Sequence, residues 1–482
     1  MGFSRRSILA VGAAAGALPS LRGLWARESA APGAIAPVVD GTTGLPLLRL
    51  PAGFSYRSFS WTGDAMTGGG ATPARHDGMA AFAAPGGGVT LVRNHELSIG
   101  TRFGGTATSP YDVFELPPGT EGAPDGFPGF AGGVTAVSYA PGRPPETVAL
   151  LSGTAVNCAG GPTAWGSWLT CEEIVLRASR VGAKDHGYVF EVPATGGASG
   201  RPIVDMGFFR HEAVALDPTG IVYLTEDNGP YSGFYRYLPS NTQPKAGALE
   251  EGGRLEALRV RGVANADLRA PAFGDEHEVD WVPVPEPDAD PEGFAPEAFG
   301  GNVAGTGKSG PYLQAEAAGA ARFARGEGAW EHGGSIYWVD TSAGAAGAGA
   351  VWVYEPGKSL LRALYVSPAE AVADAPDNIT VHDNGLVLAC EDGGGLQNAA
   401  GELVRGTRLL ALGRDGRAVE VGENNIVLDT PVPGRPAIEP ADYRGSEWAG
   451  ATFSPDGTTL FVNIQSPGIT LAITGPWEAL AA

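Results

Sequence analysis

Cysteine is close to absent: the 482 residues contain only Cys158, Cys171 and Cys390. So small and odd a number cannot build a disulfide framework, and it leaves at least one thiol free. A single Cys158–Cys171 bridge stays open if the chain is exported. Basic residues are scarce too, 32 Lys and Arg against 53 Asp and Glu, for a net charge of −21. Without a basic stripe to neutralise phosphates, nucleic acid is not expected as a partner, whereas cations are attracted. Long apolar runs are missing, and a membrane span would need ~20 such residues. Long helical periodicity is missing as well.

Glycine (74) and proline (39) are plentiful, yet 10 Trp, 18 Phe and 43% apolar residues call for a packed interior. Short apolar runs set between Gly, Pro, Asp and Asn clusters predict an all-β chain. At the start, Ser4-Arg5-Arg6-Ser7-Ile8-Leu9 precedes an alanine-rich apolar segment reaching Leu18. Twin arginines ahead of a mild apolar stretch match a Tat export signal, so residues 1–36 are excluded from the fold. Residues 37–482 are read as a single domain that meets the Tat machinery and then resides in the periplasm or outside the cell. No membrane anchor is expected after cleavage, and the protein is expected to be a monomer. Residues 240–320, rich in Ala, Gly, Pro and Glu, read as an irregular insertion over one face.

Six segments share one outline of strand, glycine turn and strand: Asp77 to Glu96, Cys158 to Glu173, Glu212 to Asn228, Glu327 to Thr341, Asn378 to Asp392 and Glu447 to Gln465. Their turns, such as Pro85-Gly86-Gly87-Gly88 and Ser454-Pro455-Asp456-Gly457, suit hairpins. The repetition predicts a six-bladed β-propeller with long inter-strand insertions.

Aligning the segments brings out columns. First strands begin with Asp77, Cys158, Glu212, Glu327, Asn378 and, out of register, Glu447. Second strands end in Asn94-His95-Glu96, Cys171-Glu172-Glu173, Glu226-Asp227-Asn228, Asp340-Thr341, Cys390-Glu391-Asp392 and Asn463-Ile464-Gln465. In a propeller both sets approach the mouth of the central channel. Carboxylates crowded there repel, by about 4 kcal/mol for a pair 4 Å apart at an effective dielectric near 20, and multivalent cations resolve the conflict. Oxygen donors favour calcium or magnesium; a thiolate favours iron or zinc. Glu173, Glu212, Glu327 and Glu391 recur at matching places, and Cys158 sits in a glycine loop. Glu96, Asp340 and Asp392 read equally well as loop caps. Arg325, two residues before Glu327, shares a face with it on an extended segment and suits a bidentate oxyanion such as phosphate.

These residues resemble the PhoX family of alkaline phosphatases. The resemblance rests on Ser4-Arg5-Arg6, Asn94-His95-Glu96, the stretch from Asn157-Cys158-Ala159-Gly160-Gly161 to Trp168-Leu169-Thr170-Cys171-Glu172-Glu173, Arg210-His211-Glu212-Ala213, Arg325-Gly326-Glu327-Gly328, Pro376-Asp377-Asn378 and Cys390-Glu391-Asp392-Gly393. It implies an iron (Fe3+) and calcium (Ca2+) cluster on the propeller axis and hydrolysis of small-molecule phosphate esters, with attack by an oxygen that the metals activate. It places Cys158, Glu173, Glu212 and Glu327 on the metals, adds Glu172, Asp227, Asn378 and Glu391 as further ligands, and makes Arg325 the phosphate binder. Ala164 departs from the proline usual in the family. Two other readings stay open: a calcium-dependent propeller lactonase or phosphotriesterase, against which Cys158 argues, and a secreted calcium-stabilised binding module.

Overall fold

The computed structural model describes residues 34–104, 109–120, 126–179, 182–293 and 307–480. The predicted export signal, apart from residues 34–36, lies outside the described residues. Among these, no helix is long and apolar enough to cross a membrane.

The fold is all-β and propeller-like, with Gly310–Ala317 its one α-helix among the described residues. Each predicted hairpin forms: His76–Ala84 with Gly88–His95, Asn157–Pro162 with Ser167–Glu172, His211–Leu216 with Val222–Glu226, Gly326–His332 with Ser335–Asp340, Pro376–Val381 with Val387–Glu391, and Trp448–Phe453 with Thr459–Ile464. Further antiparallel strands extend each hairpin outward. The first strands of successive hairpins touch one another in chain order, and that of the sixth touches that of the first, so they close a ring. The sixth sheet ends on a strand from the opposite end of the chain, because Ser55–Phe59 pairs with Ile469–Thr474.

Sheet faces bury their apolar residues against the next sheet. Leu388 and Leu409 of the fifth meet Trp448, Leu460 and Leu471 of the sixth, all fully buried. Phe234 stacks on Trp338 between the third and fourth, ring centroids 3.8 Å apart. Burying such a side chain contributes roughly 1.5–3 kcal/mol.

The stretch expected to be irregular is partly regular. Gly253–Val260 and Glu276–Val284 pair with each other, and Glu276–Val284 also pairs with Leu360–Val366, fusing the third and fourth sheets into one. Buried Leu255, Ala257, Val282 and Val284 supply the alternation, which the flanking Gly and Pro hide in the sequence.

All six hairpins carry a register shift close to the ring: between His76 and Met79, Thr170 and Glu172, His211 and Val214, Gly326 and Ala329, Pro376 and Ile379, and Ala449 and Thr452. Such bulges re-aim a side chain and leave backbone groups unpaired. Side chains of the preceding hairpin satisfy the freed carbonyls. Asn94 donates through Nδ2 to the carbonyls of Cys158 (2.9 Å) and Ala159 (2.8 Å). Thr225 donates to that of Glu327 (2.6 Å), and Asn463 to that of Asp77 (2.7 Å). The strands approach so closely that a Cβ on Gly78 would lie 2.5 Å from Ala159 Cα.

Candidate active site

The bulges decide which side chains reach the channel mouth. The residue just inside each first strand is Asp77, Cys158, Glu212, Glu327, Asp377 and Ala449 in turn. The register pairs that place each one's predecessor opposite a second-strand end are His76 with His95, Asn157 with Glu172, His211 with Glu226, Gly326 with Asp340, Pro376 with Glu391 and Trp448 with Ile464. The next residues along the second strands, Glu96, Glu173, Asp227, Thr341, Asp392 and Gln465, each donate a backbone N–H to one rim position: the carbonyls of Arg75, Val156, Arg210, Arg325, Ala375 and Glu447 respectively.

Three donor groups result, in each of which one ligand atom per residue lies within 4.8 Å of the others: Cys158, Glu173 and Glu212; Glu212, Glu327 and Asp377; and Asp77, Glu96 and Glu447. Glu212 belongs to two of them, and its Oε2 is buried without a hydrogen-bond partner among the described residues. The Cys158 thiol donates to Glu212 Oε1 at 3.2 Å and faces Asp77 Oδ2 at 3.8 Å. All three cysteines are free, so the Cys158–Cys171 bridge does not form. Gln465 ties the third group together, donating to Asp77 Oδ2 (3.2 Å), Glu96 Oε2 (2.7 Å) and Glu447 Oε1. Beside it opens a cleft of about 500 Å³ lined by Arg75, Glu96, Asp392, Tyr443, Glu447 and Gln465.

Burial first, and like charges second, push the carboxyls of Asp77, Glu212 and Glu327 and the Cys158 thiol far above their ordinary ranges. Glu173 and Glu447 are raised in the same way, and Asp377 is pushed up to about 7. Seven acids that cannot all ionise together, with one thiol among them, form a donor set that suits multivalent cations. Asp227 differs. Burial opposes its charge, but hydrogen bonds from Arg325 and the charges of Arg325 and Arg210 outweigh that and hold its pKa low.

Arg325 meets Asp227 edge-on, with Nε and NH2 each 2.7 Å from a carboxylate oxygen, and NH2 lies 3.1 Å from Glu327. Arg210 holds the equivalent rim position one hairpin earlier. Its NH2 bonds Glu173 and lies 3.6 Å from Asp227.

Asp227, expected as a metal ligand, is held instead by Arg325 and Arg210, whereas Cys158, Glu173, Glu212 and Glu327, with Arg325 beside them, are brought together. Glu172 and Glu391 are not. Glu172 is fully buried and spent on its own sheet: it accepts from Ala155 N (2.9 Å), His186 Nδ1 (2.6 Å) and Gly187 N (2.8 Å). Glu391 accepts Nε and NH2 of Arg408 at 2.7 and 2.6 Å, plus two backbone N–H groups. Both occupy the second-strand position facing away from the mouth, where Glu226 likewise accepts from Tyr235 and Gly233, and Asp340 from the Arg325 backbone. Asn378 also stays out of the donor groups: its Oδ1 accepts from Gly450 N at 3.0 Å, and it is its neighbour Asp377 that groups with Glu212 and Glu327. Sequence reasoning missed Asp377 and Arg210. Lining the columns up on the apolar pairs rather than on the charges would have shown both, one residue before Asn378 and two before Glu212.

Comparison with known proteins follows the same lines. The family model described as alkaline phosphatase PhoX matches residues 33–138 and 120–468. A solved structure of Pseudomonas fluorescens PhoX in complex with vanadate, a transition state analogue, is similar in fold: TM-score 0.61 at 17% identity, covering 92% of this chain and 98% of that one. Weaker likenesses run to the Xanthomonas campestris gluconolactonase (TM-score 0.38, 13% identity, 92% and 97% covered) and a Staphylococcus aureus virginiamycin B lyase (0.39, 10%, 87% and 99%). Comparison with curated protein sequences found no match. With the family model matching nearly the whole described chain, this protein belongs to the PhoX family of alkaline phosphatases.

Proposed function

We propose that the protein hydrolyses small-molecule phosphomonoesters at the channel mouth, with Cys158, Glu173, Glu212, Glu327, Asp377, Asp77, Glu96 and Glu447 holding iron and calcium ions and Arg325 binding phosphate. The observation that carries this reading is the juxtaposition of three linked donor groups with a half-exposed guanidinium already aligned by a carboxylate. Cys158 is the soft donor that favours iron, and the all-oxygen group of Asp77, Glu96 and Glu447 favours calcium. Bound there, the cations would offset the carboxylates, polarise phosphoryl oxygens and lower the pKa of water.

The chain's own residues do the remainder. Asp227 takes the Nε and NH2 edge of Arg325 and fixes the plane of the guanidinium. NH1, which has no partner among the described residues, then points charge at a phosphoryl oxygen without further reorganisation. Gln465 spaces the acids with a neutral amide. The ring of six first strands supports a six-bladed propeller as the scaffold. Export by the Tat route to the periplasm or beyond, as a monomer, belongs to the same reading and is supported by the twin arginines near the start.

Arg325→Ala should lower kcat for p-nitrophenyl phosphate by about tenfold or more while iron and calcium content stay at wild-type levels. Full activity in that variant, or in metal-stripped protein, would refute the mechanism.

A further inference from the structure

Six equivalent rim positions surround the mouth, and neighbouring hairpins place Arg210 and Arg325 on two of them. Two of the arginines that serve the fold use their whole guanidinium. Arg408 spends Nε, NH1 and NH2 on Glu391 and the carbonyls of Ala371 and Glu370, and Arg177 spends all three nitrogens as well. Arg210 is different. Its hydrogen bonding runs through NH2 alone, its Nε has no acceptor among the described residues, and its side chain is 33% exposed. It also shares Asp227 with Arg325, so two cations face one anion at the edge of the donor groups.

We propose that Arg210 is a second phosphate-contacting residue, closing with Arg325 a two-guanidinium clamp whose spacing Asp227 sets. This rests on the phosphatase reading above. Glu173 and Glu327, which hold the two arginines by one contact each, are both donors of the metal groups. When they are engaged by cations their hold on the guanidiniums weakens, and a phosphate dianion is the chemically matched replacement: planar forks meet paired oxygens. Asp227 stays with the arginines, since its contacts run to them. The clamp would favour a terminal phosphoryl group, a dianion with three non-bridging oxygens, over a diester, a monoanion with only two.

The test compares wild type, Arg210→Gln, Arg210→Lys and Arg325→Gln, each loaded with metal. The readouts are elemental analysis, calorimetric titration with inorganic phosphate, and KM and kcat on p-nitrophenyl phosphate. Arg210→Gln should keep its metal, bind inorganic phosphate about tenfold or more weakly and raise KM more than it lowers kcat, with Arg210→Lys in between. Wild-type phosphate affinity in a metal-replete Arg210→Gln protein would overturn the proposal. Loss of metal in that variant would overturn it too, since Arg210 would then serve to orient Glu173. A wild-type protein that hydrolyses no ester refutes the proposed function instead, and the titration still decides the clamp.

Discussion

Replacing Glu391 separates a carboxylate that holds the fold from one proposed to hold cations. Glu391 is 2% exposed and Arg408 7%. Four donors converge on it, the two guanidinium nitrogens at 2.7 and 2.6 Å and the backbone N–H groups of Asp374 and Arg408 at 2.8 and 2.9 Å. Glu391→Ala leaves a buried guanidinium without its counter-charge, which costs about 3–5 kcal/mol. Glu212→Gln should act in the opposite sense on metal-free protein. It removes a carboxyl from a group of buried acids that cannot all ionise together, so stability is held or gained while metal binding is lost. Denaturant unfolding of metal-stripped protein, paired with elemental analysis of freshly purified protein, reads both quantities. Glu391→Ala should move the unfolding midpoint strongly and leave the metal-to-protein ratio of folded molecules unchanged. If it instead lost metal at unchanged stability, Glu391 would be a ligand and the division between the two second-strand positions would be wrong.

Cys158→Ser should deplete iron more than calcium on elemental analysis, because it exchanges the one soft donor for a hard one. His186 supplies a pH signature. Burial opposes its charge, yet Glu172 and Asp112 outweigh that and raise its pKa from 6.5 to about 9. The stabilisation is therefore complete below about pH 6.5 and fades as pH climbs through 9, so the unfolding free-energy gap between metal-free wild type and His186→Gln should shrink over that window; a constant gap would contradict it. Gly78→Ala drives a methyl to 2.5 Å from Ala159 Cα and 2.8 Å from the Cys158 carbonyl, both backbone atoms. It should cost about 1–3 kcal/mol in denaturant unfolding and lower metal retention, with no new phenotype if the strands can separate.

The hairpins were legible because their turns are chemically marked and their strands apolar, and Cys158, Glu173, Glu212 and Glu327 followed from them. Alternation along a strand says which of two adjacent residues faces inward, but a bulge near the ring resets that count, and nothing in Cys-Glu-Glu or Cys-Glu-Asp announces it. The resemblance carries Glu172, Glu391 and Asn378 onto the metals, whereas the bulges turn their neighbours Glu173, Asp392 and Asp377 toward the mouth. The partners of Glu172 and Glu391, His186 and Arg408, lie 14 and 17 residues downstream, His186 in an isolated bridge with Leu176 and Arg408 at the start of Arg408–Leu412. The strand pair inside residues 240–320 was hidden for a simpler reason, an alternation diluted by glycine and proline.

The closure of the ring by both chain ends bears on the order of events in the cell. Asp77 and Glu96 come early in the chain, whereas Glu447 and Gln465 come near its end, and Ser55–Phe59 has no strand to pair with until Ile469–Thr474 exists. A nascent or truncated chain can therefore present some of the donors but never the whole set. The complete set of donors is reached only once the ring has shut, so any cation that needed all of them would bind the closed circle and not its parts.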